Sequence, residues 1–209
     1  MVMRLVIVRH GRTVGNEAGI NQGWIPGELN DLGKKEAELL AERLAAERID
    51  IVYASDLDRV QETLAPFRKL RPDIEIVVTE RLREAALGPY EGTPYGAVRD
   101  ARMKAEAEGR KFLIEGGETL EQLYDRVASF VDEIIAKHTD AETVCFFTHG
   151  GPAIQIVKHL TRFPDEEHMN YHPKNACYHI LERHGDNWKL VAKNVHDHLD
   201  GLEPDRKWD

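Results

Sequence analysis

The sequence predicts an α/β protein with three αβα layers: a mostly parallel six-stranded sheet and helices on both faces. Three observations predict it. Short, wholly apolar runs recur along the chain, as strands buried on both faces require. Helical periods fill the gaps between them. Polar residues with chemistry stand just past the apolar runs, where open α/β sheets place their ligands.

The first strand is Leu5 to Val8, which runs into Arg9-His10-Gly11. Ile51 to Tyr53, Ile74 to Val78 and Thr143 to Phe147 read the same way. Cys177 to Leu181 and Trp188 to Val191 supply two more strands, joined through His184-Gly185-Asp186-Asn187, a turn signature. Between strands, Ala37, Leu40, Ala41, Leu44 and Ala45 fall on one helical face. Leu120, Leu123, Tyr124, Val127, Val131, Ile134 and Ile135 make a longer stripe, and Thr119 with Gln122 forms a capping-box pattern before it. A shorter helix is expected after Ser55, with Ser55 as its N-cap and Pro66 kinking or ending it. Another should follow Gly150-Gly151, with Pro152 in its first turn. Strands alternating with helices make the sheet mostly parallel.

The stretch from Glu84 to Gly117 breaks the alternation. It carries Gly88, Pro89, Gly92, Pro94 and Gly96, then a charged run from Arg99 to Lys111. Residues 85–117 therefore read as an insertion over one end of the sheet, either a solvated helix with loops or a lid that selects substrate. The full 209 residues suit one domain, residues 1–209, carrying that insertion.

Composition narrows the function classes. Charged residues at 31% and hydrophobic residues at 42% exclude wholesale disorder. With 28 basic and 37 acidic side chains the net charge is −9, which argues against nucleic-acid and anionic-membrane partners. Any anion must be drawn in by a local cluster. Cys145 and Cys177 are too few for a disulfide framework. No apolar run approaches the ~18 residues that span a bilayer, and Met1 to His10 is too short and too charged for a signal peptide. A cytoplasmic protein is expected.

The rim residues come in successive sets: Arg9, His10, Gly11, Arg12, Thr13 and Asn16 after the first strand, Ser55 and Arg59 after the second, Glu84 after the third, His149 and Gly150 after the fourth. Singly, each has a bland reading as a packing histidine or a surface arginine. Together they suit phosphoryl transfer. The arginine fork matches phosphate oxygens, and Gly11 allows a close backbone approach to an anion. The helix after Gly150 aims free N–H groups at the same place. A neutral imidazole can attack phosphorus, and a carboxylic acid can protonate the leaving oxygen. Guanidinium and imidazolium groups meet the charge, so neither metal nor cofactor is called for.

These motifs resemble the histidine phosphatase superfamily, the phosphoglycerate-mutase-like group. Arg9-His10-Gly11, Ser55-x-x-x-Arg59, Glu84 before Gly88, and His149-Gly150 stand in that family's order over Leu5 to Lys158. Gly23-Trp24, Leu29 to Gly33, Tyr90-Glu91-Gly92 and Gly116-Gly117-Glu118 add to the match. The resemblance implies that His10 becomes phosphohistidine, that Arg9, Arg59 and a protonated His149 complete the phosphate pocket, and that Glu84 is general acid and then base. It also implies that Asn16 bonds phosphate and that the Gln22 and Gly23 backbone meets substrate. Glu91 stands as a fallback for the acid.

Two departures matter. Arg12 replaces the usual Glu or Gln and either makes the pocket entrance more positive, favouring a second anionic group, or turns to solvent or a nearby acid. The insertion lacks the Arg- and Trp-rich stretch of cofactor-dependent phosphoglycerate mutases. Without it, water should reach the phosphoenzyme. The expected function is thus metal-independent hydrolysis of a small phosphorylated metabolite. A phosphoglycerate mutase and a non-catalytic phosphate-binding module are the alternatives. The C-terminal third holds His168, His172, His179, His184, His196 and His198, of which His196-x-His198 has a metal-ligand spacing and a blander reading as exposed or packing histidines. The polar tail from Leu199 to Asp209 is either loosely ordered or an interface, which leaves a homodimer open.

Overall fold

Six strands form one sheet in the computed structural model, which describes residues 2–138, 142–162 and 173–202. They are β1 (Arg4–Arg9), β2 (Ile51–Ser55), β3 (Glu75–Thr79), β4 (Thr143–Thr148), β5 (Tyr178–His184) and β6 (Asn187–Val195), in spatial order β3-β2-β4-β1-β5-β6. β3, β2, β4 and β1 are parallel, joined by the crossovers that parallel pairing demands. β5 runs antiparallel to β1, and β6 antiparallel to β5, so the sheet is mixed. The hairpin between them turns on Gly185, whose φ of 62° takes the first central position of a two-residue turn.

Register sets up the site. Arg9 lies level with Thr148 across the β1–β4 ladder. Ala54 pairs with Phe147, which brings Ser55 to the same row. The residues that follow β1 and β4, His10 and His149, therefore emerge side by side at the carboxyl edge.

The helices are α1 (Val14–Glu17), α2 (Asp31–Ala45), α3 (Asp58–Leu70), α4 (Ala97–Ala107), α5 (Leu120–Lys137) and α6 (Gly150–Thr161). Strand alternation divides the core in two. Leu5 and Ile7 pack with α5 and α6 side chains such as Val127, Val131 and Ile156. Val6 and Val8 pack on the other face with Leu40 and Leu44 of α2 and Leu64 and Phe67 of α3. The α2 and α5 stripes bury as their periods predict, except that Leu120, at the start of α5, is exposed. The Thr119–Gln122 capping box is present.

Three expectations are corrected. The run ending at Val78 is not buried on both faces, because β3 is an edge strand and Val78 is exposed. Ser55 does not cap α3; that helix starts after Leu57 without a side-chain cap, and the Ser55 hydroxyl is engaged by His149. Pro66 does not end α3, which continues to Leu70 with Phe67 buried behind it. The segment 85–117 holds a 3-10 turn (Gly88–Tyr90) and α4, and pairs back to the chain after β1 through an Ile20–Pro94 bridge.

Candidate active site

A cavity of about 530 Å³ opens at the carboxyl edge of the parallel strands. Eight of the sequence-predicted residues line it: Arg9, His10, Asn16, Gln22, Gly23, Arg59, Glu84 and Gly150. His149, Gly11, Arg12 and Thr13 stand behind or away from its wall.

His10 sits at the end of β1 and is 4% exposed. Its Nδ1 lies 2.8 Å from the carbonyl oxygen of Gly11. A carbonyl only accepts, so Nδ1 carries the proton and the neutral ring keeps its lone pair on Nε2. Burial first, then the neighbouring Arg59 and Arg9 charges, hold the His10 pKa well below the usual imidazole range. The ring is thus neutral at physiological pH, the form a nucleophile needs.

His149 follows β4 and packs edge-on against His10, with ring centroids 5.2 Å apart. It is fully buried. Arg59 Nε donates to His149 Nδ1 at 3.2 Å, so the proton of the neutral ring is on Nε2, which donates to Ser55 Oγ at 2.9 Å. Burial and the Arg59, His10 and Arg9 neighbours depress its pKa too. The expected imidazolium is therefore not what the protein's own groups favour. Arg59 also donates to the carbonyl oxygens of Gly23 (2.7 Å) and Ile25 (3.3 Å), which fixes the loop carrying Gln22 and Gly23. Three of its five N–H groups are used, leaving two for an anion. Arg9 donates to the Pro173 carbonyl at 2.5 Å, while its buried Nε has no protein partner.

Glu84 reaches the same cavity from the chain that follows β3. Its carboxylate accepts the Ala85 N–H (2.9 Å) and, from the first turn of α6, the Gly151 N–H (3.1 Å). Glu91 is occupied elsewhere: its Oε1 accepts the N–H groups of Trp24 (2.9 Å) and Leu87 (3.1 Å) and packs against Gly23, where an added Cβ would meet it at 2.3 Å. Only Glu84 of the two carboxylates lines the cavity.

Three candidates serve the frame rather than the pocket, and a fourth serves both. Gly11 gives its N–H to Thr63 Oγ1 at 2.9 Å, and an added Cβ would stand 2.7 Å from the Gly33 carbonyl; the glycine admits a neighbouring chain, not an anion. Arg12 is buried beside Glu36, which accepts its backbone N–H at 2.7 Å, so it neither lines the entrance nor turns to solvent. Thr13 is the N-cap of α1 and forms a capping box with Asn16. Asn16 does line the cavity, but its Nδ2 already donates to the Tyr95 hydroxyl at 2.8 Å.

Sequence reasoning missed Asn175, Arg126 and the outer wall. Asn175 Nδ2 donates to the His10 carbonyl (3.1 Å) and to Asn16 Oδ1 (3.2 Å). It precedes β5, and a strand running antiparallel brings its beginning, not its end, to this rim. Scanning only past the ends of apolar runs therefore passes over it. Arg126 of α5 donates to the carbonyls of Arg81 (3.0 Å), Arg83 (3.0 Å) and Glu84 (3.1 Å) while paired with Glu118, as its helical position gave no sign it would. Ile20, Asn21, Leu87, Tyr95 and Ile154 form the outer wall.

Among the described residues His196 and His198 do not form a metal site. His196 Nδ1 donates to the Asn194 carbonyl and its Nε2 lies 3.2 Å from Lys174 Nζ, while His198 donates to the Ala176 carbonyl. His179 is buried in β5, its pKa pushed down to about 3 by burial and Lys193. His168, His172 and residues 203–209 of the tail lie outside the described residues. Among the described residues no cluster of three His, Cys, Asp or Glu is placed to hold a metal, and no helix is long and apolar enough to cross a membrane.

Comparison with known proteins places the chain in a family. A putative phosphoserine phosphatase 2 of Hydrogenobacter thermophilus is 31% identical over 195 residues, covering 91% of this chain and 95% of the relative. A metal-independent phosphoserine phosphatase of Arabidopsis thaliana is 30% identical over 207 residues, 96% of this chain and 85% of the relative. The solved structure of a mycobacterial glucosyl-3-phosphoglycerate phosphatase in complex with VO3 superposes with a TM-score of 0.80 at 27% identity, covering 92% of this chain and 99% of that one. The family profile described as histidine phosphatase superfamily (branch 1) matches residues 5–196. The chain belongs to that superfamily and is a phosphatase of the phosphoglycerate-mutase-like fold.

Proposed function

We propose that this single domain hydrolyses small phosphomonoesters without a metal, through a phosphohistidine on His10. The observation that carries the assignment is the pinned, neutral His10 ring, its Nδ1–H held by the Gly11 carbonyl and its lone pair left on Nε2. In the first step Nε2 attacks phosphorus, the bond from phosphorus to the ester oxygen breaks, and Glu84 gives that oxygen its proton. In the second, the Glu84 carboxylate takes a proton from water as the water oxygen attacks phosphorus, the P–N bond breaks, and His10 is restored neutral. Arg9 and the two remaining N–H groups of Arg59 meet the phosphoryl oxygens. An arriving dianion opposes the arginines at His149 and draws a proton onto it. Residues 85–117 act as the lid, placing Leu87 and Tyr95 over the substrate.

The test is phosphate release from a panel of phosphomonoesters in EDTA by the wild type and by His10→Ala. Turnover should survive EDTA and fall by about 10³-fold or more in the variant, and an acid-labile phosphoprotein should be trapped only with His10 present. No release from any ester, with isomerisation of phosphoglycerates on a bisphosphoglycerate primer, would make the chain a mutase instead. Two buried, unbridged cysteines, with the Cys177 thiol pushed up to about 12 by burial, support a reducing, cytoplasmic setting.

A further inference from the structure

We propose that the substrate carries a single anionic group, its phosphate, on an uncharged body with an apolar face, and that the site discriminates against a second carboxylate or phosphate. This rests on the phosphatase reading and extends it to substrate class.

The charge inventory of the cavity carries the proposal. Among the described residues that line it, Arg9 and Arg59 are the cations, and both stand beside His10, where the phosphoryl group must sit. Arg12, the one residue whose position in the sequence pointed to a second anion, is buried beside Glu36 and absent from the lining. The outer wall consists of Ile20, Leu87 and Ile154, the half-exposed ring of Tyr95, and the amides of Asn16 and Asn21. A chain of net charge −9 adds no attraction of its own.

Room is not the constraint. A cavity of about 530 Å³ exceeds what a phosphate fills, and lies within the range of small-molecule sites. The space left over is walled by three aliphatic side chains and neutral amides. A carboxylate brought there would lose water, find no cation among the described lining residues beyond the two arginines at the phosphoryl position, and feel Glu84 and its own phosphate as like charges. An aryl or alkyl body would instead cover Ile20, Leu87 and Ile154.

The experiment compares matched pairs. Glycerol 3-phosphate against 3-phosphoglycerate, and phenyl phosphate against 4-carboxyphenyl phosphate, each differ by one carboxylate. The expected result is kcat/KM at least about tenfold higher for the member of each pair without the carboxylate, with phenyl phosphate above glycerol 3-phosphate. Ile154→Lys should move the glycerol 3-phosphate to 3-phosphoglycerate ratio at least about tenfold towards the acid. Equal or reversed preference in the wild type overturns the proposal. Calorimetric binding of benzylphosphonate and 4-carboxybenzylphosphonate reads the same preference without turnover. Tighter benzylphosphonate binding with no hydrolysis of any ester would leave the single-anion site standing and remove the phosphatase reading; equal or tighter binding of the carboxylated ligand would overturn the site itself.

Discussion

Ser55 shows how far one hydroxyl can mislead and then matter. A serine ahead of a helical run reads as an N-cap, but its Oγ accepts the His149 proton at 2.9 Å, because the β2–β4 register sets the two strand ends side by side. Ser55→Ala leaves a buried N–H unpaired and should cost about 1–3 kcal/mol of stability, with a fall in kcat as the His149 ring loses one of its two anchors; an unchanged denaturant midpoint would contradict the bond. Gly33 tests the frame in the same way. An added Cβ would lie 1.9 Å from the Arg12 carbonyl, and backbone cannot yield as a flexible side chain does. Gly33→Ala should therefore destabilise by roughly 3 kcal/mol, read as a lower urea midpoint, although Gly33 touches no substrate. The cavity-lining candidates His10, Arg9, Arg59 and Glu84 were legible because each follows an apolar run. The different uses of Gly11, Arg12 and Thr13 were not, because motif position says nothing about which way a residue faces.

At the scale of elements, α5 acts on the site from a distance. Arg126 holds the carbonyls of Arg81, Arg83 and Glu84 with one guanidinium, and its partner Glu118 accepts the Ala86 N–H at 3.0 Å. The strand exit that carries the acid is thus fastened on both sides of Glu84. The fork geometry is what serves three carbonyls, and a lysine offers a single ammonium point. Arg126→Met should lower kcat about tenfold or more with a KM change under about threefold, since phosphate contacts are intact but the acid wanders; Arg126→Lys should recover part of it. Equal losses in both variants, confined to KM, would assign Arg126 to substrate binding instead. The elements themselves were readable: each of the six strand candidates became a strand, and β1, β2 and β4, buried along their length, carry no alternation because both faces are covered. Edge and centre were missed although Glu75 interrupts Ile74 to Val78 while Thr143 to Phe147 holds no charge; β3 has a sheet neighbour on one side only, and Glu75 is exposed there. The two antiparallel strands hid the role of Asn175 for the same topological reason.

Among the described residues three buried histidines are held neutral, and they set the molecule's response to acid. His10, His149 and His179 all have pKa values depressed chiefly by burial, the last to about 3. In the unfolded chain each returns to about 6.5. Above that value neither state binds the proton, and the full stability is present. As pH falls below about 6.5 the unfolded chain takes up protons that the folded one refuses, and each histidine removes up to roughly 1.4 kcal/mol per pH unit until its folded pKa is reached. The carboxylates act later. Glu118, which burial alone would raise, is held below its ordinary value by the Arg126 hydrogen bond, and so withdraws its contribution only as pH drops through the acid range below about 4.5. The window from pH 6.5 to 5 therefore belongs to the histidines, and urea midpoints should decline steeply across it. His179→Gln, which lies in β5 outside the cavity, should reduce that slope by about a third while leaving phosphate release dependent on His10. A wild-type stability that stays flat from pH 7 to 5 would mean that these rings accept protons in the folded state, and with that the case for a neutral, nucleophilic His10 would fail.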